Sequence, residues 1–337
     1  MDFLRVHHCC HSEFIKFAIL PVSAAGRFIS GITIPGPAHG PPGSRYIILE
    51  DEQKETGREV NMDENGIIPA RMKERITLRL RSLEPFSPEL TSAQIGVIAD
   101  VAERYGAGVV HVTPRQCVEI PDVETAYRED ALRLLSSYSL YPGSSGRYMR
   151  NVIACSRWCL YNVTLVSDLA KRLNNLFAEA VLPGKTTISL SGCGFSCVRS
   201  KTSDIGVIAR AEIELTDIKC KRCSLCVKAP LGCQVDAITL TEDGLVIIDT
   251  ERCVRCGFCT NVCRPRTITV KSRGFDLFIG GKGGIKPKEA IFYKTVSSED
   301  ELIRELGRVL DRYGDMARDG ERIADLLERE GREILEV

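Results

Sequence analysis

The sequence predicts an α+β protein made of several modules, one of which is rich in cysteine. A chain of 337 residues is long enough for two or three domains, because domains usually contain roughly 100 to 200 residues. Over residues 75–136, apolar positions follow strand and helix periods in the order β-α-β-β-α, which indicates a small sheet with helices on one face. Eight cysteines then fall between Cys220 and Cys263, and their C-x2-C spacing favours metal ligation over disulfides.

The first module begins with a strand in which Ile76, Leu78 and Leu80 alternate with Thr77 and two arginines, as in a half-buried strand. The elements expected next are a helix over 87–105 ended by Gly106, strands over 109–112 and 118–120, and a helix over 123–136. The second module should contain a Gly/Ser loop over 142–146, a helix over 166–181, a strand over 186–190 and a helical tail over 298–335 broken at Gly314 and Gly320.

Composition excludes several classes of function. Lys plus Arg equals Asp plus Glu at 45 each, so the chain has no overall field to attract nucleic acid or an anionic membrane. No run approaches the roughly 18 apolar residues of a membrane span, and the nearest, 14–34, contains Lys16, Pro21 and Arg27. We therefore expect a cytoplasmic protein with no membrane span and no nucleic-acid partner.

Residues 1–61 form an irregular N-terminal extension that does not resemble a domain. The adjacent histidines and cysteines at 7–11 close no useful chelate loop, so a zinc site is not expected there. We hypothesise that translation begins at Met62 and that residues 1–61 are not part of the natural protein.

The eight cysteines repeat one pattern, C-x2-C-x2-C, and Pro265 follows the second run. Bacterial ferredoxins holding two 4Fe–4S clusters take three ligands of each cluster from one run and the fourth from the other. Cys233 departs from this pattern, because six residues separate it from Cys226. The alternative is a zinc ribbon, which the third cysteine of each run and the absence of histidine disfavour. The two expected ligand sets are Cys220, Cys223, Cys226 and Cys263, and Cys253, Cys256, Cys259 and Cys233.

Four further cysteines, Cys155, Cys159, Cys193 and Cys197, form two C-x3-C pairs. Soft thiolates suit either an iron–sulfur cluster or zinc. After Met62 the only histidine is His111, which excludes a haem with histidine on both faces. We expect His111 to lie in the core or to line a pocket.

An ordered series of motifs surrounds these cysteines, and it resembles the siroheme-dependent sulfite and nitrite reductases, in particular the anaerobic sulfite reductase catalytic subunit and dissimilatory-type relatives. The resemblance covers nearly everything from Ile76 onward, including the ferredoxin module as an insert. In chain order the motifs are Thr113-Pro-Arg115-Gln116, Arg150-Asn151-Val152, the two cysteine pairs, Ser203-Asp204-Ile205-Gly206, Gly280-Gly281-Lys282-Gly283-Gly284 and Gly320-Glu321-Arg322.

This resemblance implies a domain plan. It consists of a nitrite/sulfite reductase ferredoxin-like half-domain, a siroheme and 4Fe–4S α/β domain in two parts, and a bacterial-type ferredoxin insert between those parts. The corresponding ranges are 74–136 for the half-domain, 137–213 and 272–337 for the two parts, and 214–271 for the insert.

The resemblance also implies cofactors and site residues. The four C-x3-C cysteines would hold a third 4Fe–4S cluster, and Cys197 would also bridge to the siroheme iron. Residues expected to contact the cofactor are Thr113, Gln116, Asn151, Gly281 and Lys282, with Gln116 also fixing its loop. A basic pocket of Arg115, Arg150 and Lys185 would bind the anionic substrate, because reduction with loss of oxygen as water needs positive charge and a nearby proton.

The implied activity is the multi-electron reduction of sulfite toward sulfide, or of nitrite, with electrons entering through the ferredoxin module from a donor protein or reductase subunit. The family usually has a C-x5-C first pair and a second lysine where this chain has Pro183. Full-length relatives carry two copies of this half, so a homodimer or hetero-oligomer is expected. The alternatives are a non-catalytic electron-transfer subunit without siroheme and a zinc-bearing structural protein.

Overall fold

The structure is a computed structural model that describes residues 65–82, 89–162, 164–177, 180–228 and 231–335. The predictions for residues 1–61 and for a start at Met62 lie outside these ranges. No helix in the described part of the chain is long and apolar enough to cross a membrane.

The first module is a five-stranded antiparallel sheet with two helices on one face. Ile76, Leu78 and Leu80 of its second strand are buried against those helices, as their alternation predicts. Its elements are β1 (Ile67–Pro69), β2 (Arg75–Ser82), α1 (Ser92–Tyr105), β3 (His111–Val112), β4 (Val118–Glu124), α2 (Arg128–Ser136) and β5 (Leu140–Pro142). The strand order is β1-β2-β4-β3, with β5 also paired to β2, so this sheet includes strands on both sides of the predicted range 74–136.

Element boundaries differ from the predicted ones for local reasons. Helix α1 begins at Ser92 because Thr91 and Gln94 form a reciprocal capping box, which satisfies amide groups at the helix start. Strand β4 continues to Glu124 and the second helix begins only at Arg128, after a 3₁₀ turn. Strand β3 is only two residues long, and both are exposed.

The second module is a mixed five-stranded sheet of order β12-β11-β8-β7-β6, with parallel pairing from β6 to β8 and antiparallel pairing beyond. Helix α5 runs through Gly314, where a break was predicted, because its apolar side chains pack continuously on the main core. The elements from β6 onward are β6 (Ile153–Ala154), α3 (Ser167–Phe177), β7 (Ile188–Ser191), β8 (Ile205–Leu215), β9 (Ile238–Leu240), β10 (Val246–Ile248), α4 (Phe258–Val262), β11 (Ile268–Ile279), β12 (Ile291–Val296), α5 (Glu299–Met316) and α6 (Ile323–Glu330).

The cysteine-rich insert leaves the second sheet at the end of β8 and returns at the start of β11. These two long strands pair antiparallel along their length, from Ile205 with Ile279 to Leu215 with Ile268. In its described residues the insert has one hairpin, one short helix and a small core that includes Cys226, Ile238 and Ile268. The strand pair therefore fixes both ends of the insert.

Candidate active site and cysteine sets

A cavity of about 680 Å³ opens between residues of the two sheets and carries strong positive charge. This volume lies in the usual range for small-molecule sites. Thr113, the thiol-bearing Cys197 and the glycines Gly283 and Gly284 also line it. The cationic side chains that line it are Arg79, Arg115, Lys185, Arg199 and Arg322.

The turn that carries Arg115 is held by its own backbone and by the second module. The amide of Thr113 donates to the carbonyl of Cys117 (2.9 Å), and the amide of Cys117 donates to Thr113 Oγ1 (3.1 Å). Gln116 has a left-handed φ of 58°, and its side chain pairs with both the carbonyl (2.9 Å) and the amide (3.0 Å) of Ala154. Gln116 thus fixes the loop as expected and leaves Arg115 facing the cavity.

Arg322 is fixed by a buried carboxylate. Its guanidinium donates two bonds to Asp204, at 2.9 and 2.7 Å, and the side chain of Asp204 is fully buried. Asp204 Oδ2 also accepts from the amide and the hydroxyl of Thr187, at 2.9 and 2.7 Å. Two motifs that are far apart in the sequence therefore meet as one ion pair at the cavity wall.

The clustered charge changes the acidity of Lys185. Burial, followed by the charges of Arg115, Arg322 and Arg150, lowers the pKa of Lys185 to about 8. Within the described ranges, neither Lys185 nor Arg115 forms a hydrogen bond or an ion pair through its side chain. The side chain of Arg199 likewise has no such bond within these ranges, so three of the five cavity cations have no fixed partner to give up when an anion binds.

Arg150 and Asn151 lie behind the cavity wall. Arg150 donates to the carbonyls of Tyr148 (2.8 Å) and Gly146 (3.0 Å). Burial and the charges of Arg115 and Arg79 lower the pKa of Arg150 to about 10. Asn151 is 1% exposed, and its side-chain oxygen and nitrogen have no hydrogen-bond partner among the described residues. The structure thus places both near the site, but neither lines the cavity.

The glycine-rich loop is placed differently from its prediction, whereas His111 lines the cavity. Gly281 packs against the backbone of Ser203, and Lys282 pairs with Asp325, whereas Gly283 and Gly284 line the cavity. Of the two positions expected for His111, core or pocket lining, the structure shows the second, because its side chain is 62% exposed on the short edge strand β3. It lines the cavity mouth, with Nδ1 2.7 Å from Glu119 Oε2.

The structure brings the four C-x3-C cysteines together beside the cavity. Cys155 lies close enough to Cys159 and Cys197 for their charges to add to burial in raising its pKa. The amide of Gly192 donates to Cys155 Sγ at 3.4 Å. Cys193 is buried, whereas Cys197 is exposed and lines the cavity. We call these four residues the coupled set.

The eight cysteines of the insert separate into the two sets that their spacing predicts. Burial, together with Cys263, Cys220 and Cys223, raises the pKa of Cys226, so these four thiols are neighbours; we call them the outer set. Burial raises the pKa of Cys259 to about 12, with contributions from Cys256, Cys253 and Cys233 and a smaller one from Cys226 of the outer set; we call Cys253, Cys256, Cys259 and Cys233 the inner set. Cys233, which departs from the usual spacing, therefore lies with the group expected for it.

The inner set adjoins the coupled set. Burial raises the pKa of Cys193 to about 11, and among the thiols that add to this effect Cys256 of the inner set contributes most, ahead of Cys155 and Cys159. Tyr161 lies between Phe195 and Phe258, with ring centroids 5.8 and 4.6 Å away. Gly194 packs on the backbone of Val254. These contacts join the insert to the loops that carry the coupled set.

Comparison with known proteins identifies the family. Residues 145–335 match the family model for the nitrite and sulphite reductase 4Fe-4S domain, and residues 78–138 match that for the nitrite/sulfite reductase ferredoxin-like half domain. The chain belongs to the nitrite and sulfite reductase family. All twelve cysteines of the three sets lie within the first match.

Relatives of this family are found in archaea and bacteria. An uncharacterised protein of Methanocaldococcus jannaschii is 30% identical over 78% of this chain and 90% of its own length. The coenzyme F420-dependent sulfite reductase of the same organism is 31% identical over 71% of this chain, which spans only 38% of that enzyme. The dissimilatory-type sulfite reductase subunit alpha of Allochromatium vinosum is 25% identical over 77% of this chain and 68% of its length.

A solved structure shows the same α+β fold. The crystal structure of dissimilatory sulfite reductase I aligns with a TM-score of 0.62 over 78% of this chain and 68% of that chain, at 19% identity. This fold is the nitrite/sulfite reductase fold that the motif series implies.

Arg79, Arg199 and Arg322 are cavity residues that were not among the predicted site residues. Arg79 is on the polar side of β2, where alternation alone indicates solvent, but it lines the cavity together with residues of the second module and donates to Glu119 at 2.7 Å. Arg199 has a left-handed φ of 62°, which no sequence pattern indicated. The sequence does indicate Arg322 as a site residue, because Gly320-Glu321-Arg322 belongs to the series of family motifs.

Proposed function

We propose that this chain is a siroheme- and 4Fe–4S-dependent reductase of sulfite, or of a similar small oxyanion such as nitrite. The observation that carries the proposal is the cavity in which Arg79, Arg115, Lys185 and Arg322 converge while Cys197 stands in its wall. Membership of the family supports the reaction class, and the cavity supplies groups that suit the chemistry.

The three cysteine sets fit three 4Fe–4S clusters. Each set contains four thiols and no histidine, and thiolates are the usual ligands of such clusters. Backbone amides donate to cysteine sulfurs in both the insert and the second module. The sulfurs are those of Cys263 (3.4 Å), Cys233 (3.3 Å) and Cys155 (3.4 Å). Amide donors of this kind stabilise negative charge on the sulfurs and tune the potential of a cluster.

The cavity fits siroheme as the second cofactor. Siroheme carries several carboxylates, and five cationic side chains line this cavity, so its charge is complementary to such a macrocycle. Cys197 is the one member of the coupled set that both lines the cavity and is exposed, which suits a thiolate shared between a cluster and an iron. Thr113, Gly283 and Gly284 would contact the macrocycle, and Gln116 would fix the loop beside it.

Siroheme would supply an iron that binds the substrate and passes electrons to it, and the chain would supply charge and protons. Arg115 has a fixed positive charge, and its fork of donors matches an oxyanion. Arg322 supplies a second positive charge, and its ion pair with Asp204 fixes the position of that charge. Because the chain has Pro183 in place of a second lysine, we propose that Arg322 and Arg79 contribute the missing positive charge.

Lys185 is the proposed proton donor. With a pKa of about 8, its ammonium group is protonated at neutral pH yet gives up a proton more readily than an ordinary lysine. Each oxygen atom removed from the substrate leaves as water and consumes two protons. Arg115 cannot supply them, because a guanidinium keeps its proton at these pH values.

Electrons would reach the cavity through the insert in the order outer set, inner set, coupled set. The support is the neighbourhood of Cys256 and Cys193 and the packing of Tyr161 between Phe195 and Phe258. An electron-donor protein or reductase subunit would deliver them. A second copy of the chain or a partner subunit would complete the assembly, and the exposed Val109, Val110 and Val112 beside edge strand β3 support such a contact.

An absorption spectrum of anaerobically purified protein tests the cofactor assignment. We expect siroheme bands in addition to the broad iron–sulfur absorbance. Fully metallated protein without those bands would refute the reductase and would support a non-catalytic electron-transfer subunit instead. Zinc without iron would support the structural alternative.

Steady-state assays with sulfite and with nitrite, using one chemical reductant, test the substrate class. We expect Arg115→Gln to lower kcat/KM at least about 10²-fold, the usual loss when one donor to a developing anion is removed. Arg104→Gln is the matched control, because that arginine forms an exposed pair with Asp100 on α1. Equal activity of the two variants would refute the assigned role of Arg115.

A further inference from the structure

The surface around the outer set carries unpaired positive charge. Six exposed lysines and arginines lie within three residues of these cysteines in the sequence, and none forms an ion pair with any other residue of the described ranges. They are Lys219, Lys221, Arg222, Lys228, Arg264 and Arg266. The acidic groups close to them are Asp217 before the first cysteine and Glu242 and Asp243 at the tip of the β9–β10 hairpin, so cations are in excess.

The inner set has a different surface. The two cations that flank it form ion pairs. Arg252 lies 3.8 Å from Asp236, and Arg255 lies 3.3 Å from Glu212. Positive charge beside the inner set is therefore neutralised within the chain. The contrast shows that the excess charge of the insert is concentrated at the outer set rather than spread over the insert.

The same surface has apolar side chains among its charges. Ile218 is 50% exposed and Leu231 is 43% exposed, and Cys223 of the outer set is itself exposed. An apolar centre surrounded by charged groups is the usual anatomy of a protein interface. The outer set also lies at the far end of the insert's thiol series, because Cys193 of the coupled set has Cys256 of the inner set as its insert neighbour.

We propose that this surface is the docking site for a small acidic electron-carrier protein. The inference rests on the proposed function, in which electrons enter through the insert. In each encounter, one electron leaves the reduced carrier and enters the outer cluster, so the carrier is oxidised by one electron and the cluster is reduced by one. Opposite charges on carrier and surface accelerate such an encounter, and salt screens that attraction.

Stopped-flow reduction of the metallated full-length protein, without sulfite or nitrite, tests the docking site. The donor is a reduced plant-type 2Fe–2S ferredoxin, which is strongly acidic, and the readout is bleaching of the 4Fe–4S absorbance. We expect a second-order rate constant that falls steeply as ionic strength rises. The triple variant Lys219→Glu, Lys221→Glu and Arg222→Glu should lower it at least about tenfold at low salt and should flatten the salt dependence.

Three controls keep the result interpretable. The variant Arg71→Glu, Lys73→Glu and Arg304→Glu changes net charge equally at exposed sites elsewhere and should alter the rate less than about twofold. Replacing Lys219, Lys221 and Arg222 by Gln should give an intermediate rate. Iron content and reduction by photoreduced 5-deazariboflavin, which is small and uncharged, report whether the clusters are assembled.

Equal rates for the two charge-reversed variants, or a wild-type rate that does not depend on salt, would overturn the docking site. Because no substrate is present, this result is independent of whether the protein reduces sulfite. Failure of the proposed function appears separately, as missing siroheme bands or missing turnover with a chemical reductant.

Discussion

At the residue scale, the site is defined by how each cation is held. Arg322 is bound to the buried Asp204, and Arg150 is bound to backbone carbonyls, whereas Arg115 and Lys185 have no such partner among the described residues. Fixed cations maintain the field of the cavity, and unpartnered cations can contact a bound anion. Mutations of the two kinds should therefore have different effects.

Lys185 should determine the alkaline limit of activity. Its pKa is lowered to about 8, so the ammonium form is lost as pH rises through 8, and both charge and donatable proton are lost with it. We expect kcat/KM for the substrate anion, sulfite or nitrite, to fall above pH 8. Lys185→Arg should abolish this limb and lower kcat about 10²-fold or more, because the charge remains but the proton donor is lost. A variant that keeps the alkaline limb would show that another group titrates.

Asp204→Asn should destabilise the protein, because Arg322 loses its anionic partner in a buried environment. Removing one member of a buried ion pair usually costs about 3–5 kcal/mol. The measurement is urea unfolding of metallated protein under anaerobic conditions. Asp100→Asn, which removes the exposed partner of Arg104, should cost less than about 1 kcal/mol. Similar losses in the two variants would contradict the structural role of Asp204.

At the element scale, two neighbouring strands and one glycine contact position the insert. The β8–β11 pair holds its ends, and Gly194 allows its inner-set loop to lie against the coupled set. A Cβ atom at Gly194 would be 2.4 Å from the carbonyl oxygen of Val254. Relief of that clash would move one backbone away from the other.

Gly194→Ala should therefore lower the free energy of unfolding by about 1–3 kcal/mol, the usual cost of overpacking. Gly96→Ala is the matched control, because a Cβ there meets nothing within 4 Å and alanine is favoured at this exposed position of helix α1. The control should raise stability by about 0.5–1 kcal/mol. Electron paramagnetic resonance should also show weaker coupling between the inner and coupled clusters in Gly194→Ala. Changes of the same sign in both variants would refute the contact.

At the scale of the whole molecule, stability is unevenly distributed. Each of the two sheets has an extensive apolar core, whereas the core cluster of the insert, in its described residues, has Cys226, Ile238 and Ile268 as its buried members. So small a core offsets little of the entropy of ordering its segment, and under the proposed function metal ligation would supply the rest.

Removal of iron should unfold the insert and leave the sheets folded. After anaerobic chelation, hydrogen–deuterium exchange should show loss of protection over residues 216–267. Strands β2 and β4 serve as the internal reference and should keep their protection. Uniform loss over the whole chain would show that the insert and the sheets fold as one cooperative unit.

Much of this architecture could be predicted from the sequence because its signals are local. Alternation at Ile76, Leu78 and Leu80 predicts the buried side of β2, and C-x2-C spacing predicts which thiols of the insert come together. Predictions from local patterns were wrong where a capping interaction or a contact between modules determined the structure. The capping box at Thr91 moved the start of α1, and residues of the second module, which line the cavity together with Arg79, turned it from an expected surface residue into part of the cavity.

By itself the sequence determined the fold class and the family and predicted the three groups of cysteines, because periodicity and ligand spacing are properties of short segments. Only the tertiary structure decided which cations share the cavity. Asp204 and Arg322 are 118 residues apart, and Arg79, Arg115 and Lys185 come from different elements. Their convergence, and the lowered pKa of Lys185 that results, depend on long-range packing that brings like charges together against their mutual repulsion.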